Sequence, residues 1–364
     1  MVRCTIMASL AFQANAAPAR PCRAGWQAVL ADAVRDPAEL CRLLGLDRRV
    51  AAAAAPGGGG VWLSPIPPTA RYPAADSFPL LVPRTLLSRV HPGDPEDPLL
   101  VQVLPRPAER ADMPGYHTDP LGEAKATCRP GLLWKYRGRC VMVATRRCAV
   151  HCRFCFRRHF PYHAVPRGPA DWQPAFERIA ADRSIHEVIL SGGDPLTLPD
   201  EQLAQLAARL AEIPHVTRLR LHTRLPVMIP QRVTEQLLAW IRGSRLTGIV
   251  VVHVNHPAEI DAAVAAALGR LVDAGIPVLS QAVLLRGVND RVEVLADLCE
   301  RLADLRVMPY YLHQLDRVAG TAHFEVPEAT GVRLIEQLRA RLPGYAVPRY
   351  VRETPGAASK EVLA

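Results

Sequence analysis

Three cysteines, Cys148, Cys152 and Cys155, stand in a C-x3-C-x2-C array inside the stretch CAVHCRFCFRRHF. Thiolates are soft ligands that select zinc, copper(I) or iron–sulfur clusters. A structural zinc site closes on four ligands, and clusters ordinarily take four thiolates. The array supplies three. His151 or His159 as a fourth ligand would give a Cys3His zinc site, although a tight loop would struggle to fold His151 back from inside the array. The alternative is a [4Fe–4S] cluster with one iron left without a protein ligand, an open position for a substrate or cofactor. Spacing leaves both readings standing. The chain has 9 cysteines. That odd number and the uneven spread argue against a disulfide framework and for a reducing compartment.

The elements around the array repeat. Apolar, β-branched runs occur at 140–145, 187–191, 216–222, 248–254, 277–284 and 306–312, and amphipathic helical segments at 172–182, 200–212, 233–242, 258–274 and 291–304 lie between them. Strand and helix in alternation predict parallel strands joined by right-handed crossovers. Polar or glycine-rich sequence follows every run: the cysteine array after the first, then SGGDP, HTRLP, NHP, RGVND and YYLHQLD. Barrel enzymes build their sites from such loops at the C-terminal strand ends. A partial (βα)6 barrel is therefore expected over 139–325. A mainly helical N-terminal cap is expected over 25–138, with helices near 84–90 and 95–104, and a short C-terminal segment over 326–364. Residues 1–24 read as disordered, and AAAAAPGGGG at 51–60 as a linker or loop tip.

Composition narrows the function classes. Hydrophobic residues make up 49% and charged residues 22%, as in a soluble globular protein. No stretch approaches the ~20 apolar residues that span a bilayer. The formal charge of +9 reflects an arginine-rich composition with no basic run of the nucleic-acid-tail kind, so no direct nucleic-acid partner is expected. The first residues, MVRCTIMASLAFQANA, loosely mimic an export signal, but the apolar run is weak and an exposed thiolate cluster needs a reducing cytosol. A cytoplasmic location is expected.

A C-x3-C-x2-C array directly after the first of six βα units resembles the signature of the radical S-adenosylmethionine enzymes. The stretches CAVHCRFCFRRHFPY, LSGGDPL, RLRLHTRLPVMIPQRVT, VNHP, LLRGVND and VMPYYLHQLDRVAGTAHF resemble the lysine 2,3-aminomutase family over about 25–360. DPLLVQVLP and DPLGE…PGLLWKYRGR resemble its bacterial branch that serves elongation factor P modification.

The resemblance implies three cofactors: a [4Fe–4S] cluster on Cys148, Cys152 and Cys155, S-adenosylmethionine at its open iron, and pyridoxal 5′-phosphate. Ser191, Gly192, Gly193, Asp194, His222 and Asn255 are the residues implied for S-adenosylmethionine, the glycines by letting backbone approach the cofactor. Lys360 matches the lysine that holds pyridoxal phosphate, and Lys135 and Arg139 match positions near its phosphate. The chain has only three lysines, Lys125, Lys135 and Lys360, and arginine could not form the imine. Lys360 departs from the family in its Ala-Ala-Ser lead-in and the Glu-Val that follows, which leaves the stiffness of its loop open. Arg157 matches the arginine that grips the substrate carboxylate. Asp290 and Glu353 match acidic positions facing a side-chain ammonium, which implies L-lysine as substrate and (R)-β-lysine as product. Further implied are a functional link to elongation factor P and the ligase that lysylates it, an electron donor of flavodoxin or ferredoxin type, and a possible homo-oligomer. Two alternatives remain: a free amino-acid 2,3-aminomutase of metabolism, and a Cys3His zinc protein that binds RNA.

Overall fold

The structure, a computed structural model, describes residues 25–54 and 78–364. The expectation for 1–24 lies outside these residues, as does that for most of 51–60. Residues 51–54, read as the start of a linker, instead form the last turn of the helix Arg48–Ala54.

One ten-stranded sheet organises the chain, its strands lying side by side in sequence order. The strands are β1 (Thr127–Arg129), β2 (Leu132–Tyr136), β3 (Arg139–Thr145), β4 (Glu187–Gly192), β5 (Arg218–Thr223), β6 (Thr247–His253), β7 (Val278–Val283), β8 (Met308–His313), β9 (Arg349–Arg352) and β10 (Glu361–Val362). β3 through β9 pair in parallel, while β1 and β2 at one edge and β10 at the other are antiparallel. The six expected βα units are present as β3–β8. The 326–364 segment does more than expected: helix Glu328–Arg341 and β9 add a seventh helix–strand step.

Side-chain alternation along each strand divides the sheet into two faces. Val188 and Leu190, Leu219 and Leu221, and Val250 and Val252 join the main core. Ile189 and Ser191, Arg220 and His222, and Ile249 and His253 line a cavity on the other face. Helices Gln173–Ala180, Asp200–Ala211, Glu235–Gly243 and Ala262–Asp273 carry their apolar residues into that same main core. Two of them start where a side chain caps them. Thr234 accepts from Leu237 N, and Asp261 from Val264 N, so the expected 258–274 helix begins at Ala262.

The cap departs from expectation at 95–104, which is a run of turns rather than a helix. Pro98 removes a backbone donor, and the Asp97 carboxylate takes the amides of Leu99 and Leu100 at 2.8 and 3.0 Å. The helix expected at 84–90 is shortened to Arg84–Leu87.

At the far edge, helix Glu328–Arg341 sits tight against β9. A Cβ built on Gly331 would lie 2.3 Å from the Tyr350 ring. Overpacking costs ~1–3 kcal/mol, offset by the ~1 kcal/mol by which alanine outranks glycine inside a helix. Gly331→Ala is expected to lower stability by about 1–2 kcal/mol and Gly331→Val by more. Urea titrations followed by far-ultraviolet circular dichroism check this; an unshifted midpoint would mean that the Tyr350 contact yields freely.

Candidate active site

The cysteine loop leaves the C-terminal end of β3 without regular structure, so side chains outside it must hold it. Arg153, between the second and third cysteines, is 1% exposed. Its Nε donates to Glu109 Oε1 at 2.8 Å, its Nη2 to Glu109 Oε2, and its Nη1 to the Phe78 carbonyl at 2.8 Å. Arg158 reaches the same Glu109 carboxylate at 2.8 Å and the Gly320 carbonyl at 3.1 Å. Both guanidinium groups lie over the Phe78 ring. Burial pushes the Glu109 carboxyl up, but Arg153 and Arg158 overcome that and hold it at about 2. Arg158, left without a role by the sequence, thus belongs to a clamp between the cap, the cysteine loop and the loop after β8.

The three sulfurs sit close enough to repel one another as thiolates. Burial, then the neighbouring Cys155, push the Cys148 thiol far up; burial and Cys152 push Cys155 to about 12. Such a donor set calls for a cationic centre. One ring nitrogen of each nearby histidine is turned to a carbonyl, His151 Nδ1 to that of Pro79 at 2.9 Å and His159 Nε2 to that of Ala319 at 3.1 Å. Among the described residues no three His, Cys, Asp or Glu side chains converge on a point fit for a single ion.

SGGDP lies against this loop, and its glycines serve packing. Gly192 has φ +108, and its Cβ would lie 2.2 Å from Val143 Cγ1; a Cβ on Gly193 would lie 2.4 Å from the Arg147 carbonyl oxygen. The absence of a side chain at these glycines admits the neighbouring strand and the entry to the cysteine loop. Asp194 turns inward too, accepting from Thr223 Oγ1 at 2.7 Å and the Arg224 and Leu225 amides at 2.6 and 3.0 Å. That carboxylate joins the loops after β4 and β5 and is spent on protein.

Beside the loop, the concave face encloses a cavity of about 520 Å³. A relay of alternating charges runs along it. Arg157 holds Glu123 through Nε and Nη2, both at 2.7 Å, and its Nη1 reaches Ser191 Oγ at 3.1 Å. Lys135 Nζ bridges Glu123 at 2.8 Å and Glu353 at 2.7 Å, and the second Glu353 oxygen accepts from Lys360 Nζ. Burial raises the Glu353 carboxyl, but Lys360 and Lys135 hold it down at about 2. Asp316 faces the same cavity, where burial, then the charge of Glu353, push its carboxyl up to about 7. Burial first, then nearby cations, keep the His313 and His253 imidazoles neutral, at about 3 and 4. His222 Nε2 and Tyr136 Oη are buried on the cavity wall without a protein partner, so the wall has room for a polar ligand.

Lys360 is well braced despite its small-residue lead-in. β10 pairs with β9, Arg352 binds Glu361 at 2.8 Å, and Leu363 N donates to the Tyr350 carbonyl at 2.8 Å. The structure therefore gathers Lys135, Arg139, Arg157, Ser191, His222, Glu353 and Lys360 around one cavity. It does not bring Asn255 or Asp290 there. Asn255 is 0% exposed and bonded to Gln102 Oε1 at 2.9 Å and Val283 N at 2.9 Å. Asp290 accepts from Gly287 N at 3.1 Å in its own turn. Glu353 is reached by two lysines of the chain itself, Lys135 and Lys360. Sequence reasoning missed Glu123 and Asp316. Both lay inside stretches already singled out, DPLGE and YYLHQLD.

The radical SAM superfamily profile matches residues 142–299. L-lysine 2,3-aminomutase of Escherichia coli K12 is 42% identical over 94% of this chain and 95% of its own length. The chain belongs to the L-lysine 2,3-aminomutase family. The Haemophilus influenzae enzyme of the same name is 43% identical over 79% of this chain, and that of Clostridium subterminale 38% over 75%. As a member, the chain is a radical SAM isomerase, and its cofactors include a [4Fe–4S] cluster and S-adenosylmethionine.

The Glu109 clamp makes the cysteine loop acid-sensitive. A carboxyl held at about 2 contributes stability fully present above its ordinary 4.5 and lost as pH falls through the folded value. Stability should drop between about pH 4.5 and 2, and Glu109→Gln should flatten that drop while lowering stability at pH 7. Urea midpoints across that range check it.

Proposed function

We propose that the chain converts L-lysine to β-lysine with a cluster on Cys148, Cys152 and Cys155, S-adenosylmethionine, and pyridoxal phosphate held by Lys360. One observation carries the reading. The ε-amino group of Lys360 and the guanidinium of Arg157, beside the cysteine loop, line the same cavity, joined by Glu353, Lys135 and Glu123. The cofactors, when bound, supply a hydrogen-abstracting radical and a carbonyl-bearing conjugated ring that receives the amino group and spreads an unpaired electron.

The chain supplies position and charge. Glu123 and Ser191 orient the Arg157 fork, whose geometry suits a carboxylate or phosphate. Glu353 stays ionised and keeps the Lys360 amine at the cavity wall. Arg139, lying over the Tyr136 ring, adds a cation suited to a phosphate. Asp316 is the remaining acid of the wall, and above about pH 7 it is charged and able to pair with the side-chain ammonium of lysine. The apolar strand residues Ile189, Ile249 and Leu279 line the rest of the cavity and keep water from a reactive radical.

The finer reading is an (R)-β-lysine product made in the cytoplasm and passed to the ligase that modifies elongation factor P. It is supported by the resemblance of the cap stretches to that branch. Electrons would come from a flavodoxin- or ferredoxin-type donor, and the enzyme would work as a homo-oligomer. No helix is long and apolar enough to cross a membrane among the described residues.

Anaerobically reconstituted protein given L-lysine, S-adenosylmethionine and reductant should form β-lysine, read by chiral chromatography. Conversion of glutamate or alanine but not lysine would sink the substrate assignment. Cys148→Ala, Cys152→Ala and Cys155→Ala should each lose iron, while Cys299→Ala keeps it. Lys360→Ala should keep iron and lose the pyridoxal absorbance. The lysine KM should rise as pH falls through 7, because Asp316 takes up a proton and loses its charge; Asp316→Asn should raise KM at least tenfold and abolish that dependence.

A further inference from the structure

One sulfur of the array, that of Cys152, has a charged side chain against it. The Cys152 Sγ lies 2.8 Å from Arg224 Nη1. The Sγ stands here for the thiolate that would bind iron.

Arg224 has little freedom to leave. It is 7% exposed, in the HTRLP stretch directly after β5. Its Nη2 donates to Gln102 Oε1 at 2.6 Å and to Glu259 Oε2 at 3.0 Å, and both of those residues are 0% exposed. Its backbone amide is fixed by Asp194 at 2.6 Å, and its guanidinium lies over the Phe154 ring. Glu259 is in turn held by the Asn255 amide at 2.9 Å, and Gln102 by Asn255 Nδ2 at 2.9 Å. A buried, rigid cation aimed at one sulfur costs desolvation unless its partner carries charge.

We infer that Arg224 sets the ease with which the cluster accepts its electron, by donating a charged hydrogen bond to Cys152. The inference rests on the proposed reading of the three cysteines as cluster ligands. Hydrogen bonds to the sulfurs and local charge are the levers by which a protein tunes a cluster potential. One electron from a low-potential external donor reduces the cluster by one unit and adds negative charge to its sulfurs. A donor with full positive charge gains more from that change than a neutral amide does. Glu259 opposes this from the other side of the same guanidinium, since its charge damps the field at the sulfur. Removing Arg224 and removing the Glu259 charge should therefore move the potential in opposite directions.

The test uses full-length, anaerobically reconstituted holoprotein with iron and sulfide assayed, titrated potentiometrically and read by electron paramagnetic resonance, without substrate or S-adenosylmethionine. Arg224→Gln should take up its electron less readily. At a fixed potential its reduced-to-oxidised ratio should fall about tenfold, equivalent to ~59 mV for a one-electron couple. Glu259→Gln should shift the midpoint the other way. Arg224→Gln with full iron and an unshifted midpoint overturns the inference, as does a shift of both variants in one direction, which marks general loosening. If Arg224→Gln loses its cluster, Glu259→Gln decides alone, and an unshifted or lower midpoint there overturns it. Wild-type protein that holds no iron under these conditions would instead remove the proposed function itself.

Discussion

Arg157 of the cysteine loop and Lys135 of β2 arrive from different parts of the chain and meet on one buried carboxylate, that of Glu123. The rest of the site is arranged around this contact. Lys135 carries the charge on to Glu353 and Glu353 to Lys360, so three cations alternate with two anions along one wall. Removing one partner from a buried array of this kind typically costs 3–5 kcal/mol, because it strands the charges left behind. The surplus of one positive charge suits a cavity meant for an anionic cofactor. Asp316 beside it, its carboxyl pushed up by burial and by Glu353, leaves room for one more cation.

A second buried network does for the sulfurs what the first does for the cavity. Gln102, Asn255, Glu259 and Arg224 hold one another in a closed set of hydrogen bonds beneath the cysteine loop. Gln102 comes from the N-terminal cap, Arg224 from the loop after β5, and Asn255 and Glu259 from the loop after β6. The cap is thus part of the machinery that fixes the loop, as the Glu109 clamp also shows. Asn255, which the resemblance matches to a cofactor position, is a member of this network.

Much of the architecture was legible from one kind of signal. Six apolar runs separated by amphipathic segments place six parallel strands, and polar residues after each run mark the end at which a site forms. The seventh strand was missed because RYVR is short and half charged. Its membership comes from pairing with β8 and from the fit of Gly331 under Tyr350, which periodicity does not report. At the site, residue type and spacing singled out Cys148, Cys152 and Cys155, whereas Arg157 and Lys360 were reached only through the resemblance to the family. Spacing could not separate Asp290, which closes its own turn, from Asp316, which faces the cavity. Both are single aspartates after a strand, and only the turn geometry decides where each carboxylate goes. The Arg147 carbonyl stands where a Gly193 Cβ would be, a packing constraint that spacing does not report.

The Lys135–Glu353 contact joins residues 218 positions apart, and the hairpin that braces Lys360 is the outermost pairing of the sheet. The cavity therefore has no partial form. Joining its two ends is a high-contact-order event, of the kind that is slow by nature. A ligand that bridges those ends binds the finished fold and not its precursors, so by mass action it stabilises the whole sheet. Cofactor occupancy in this protein is in that sense a report on the completion of folding.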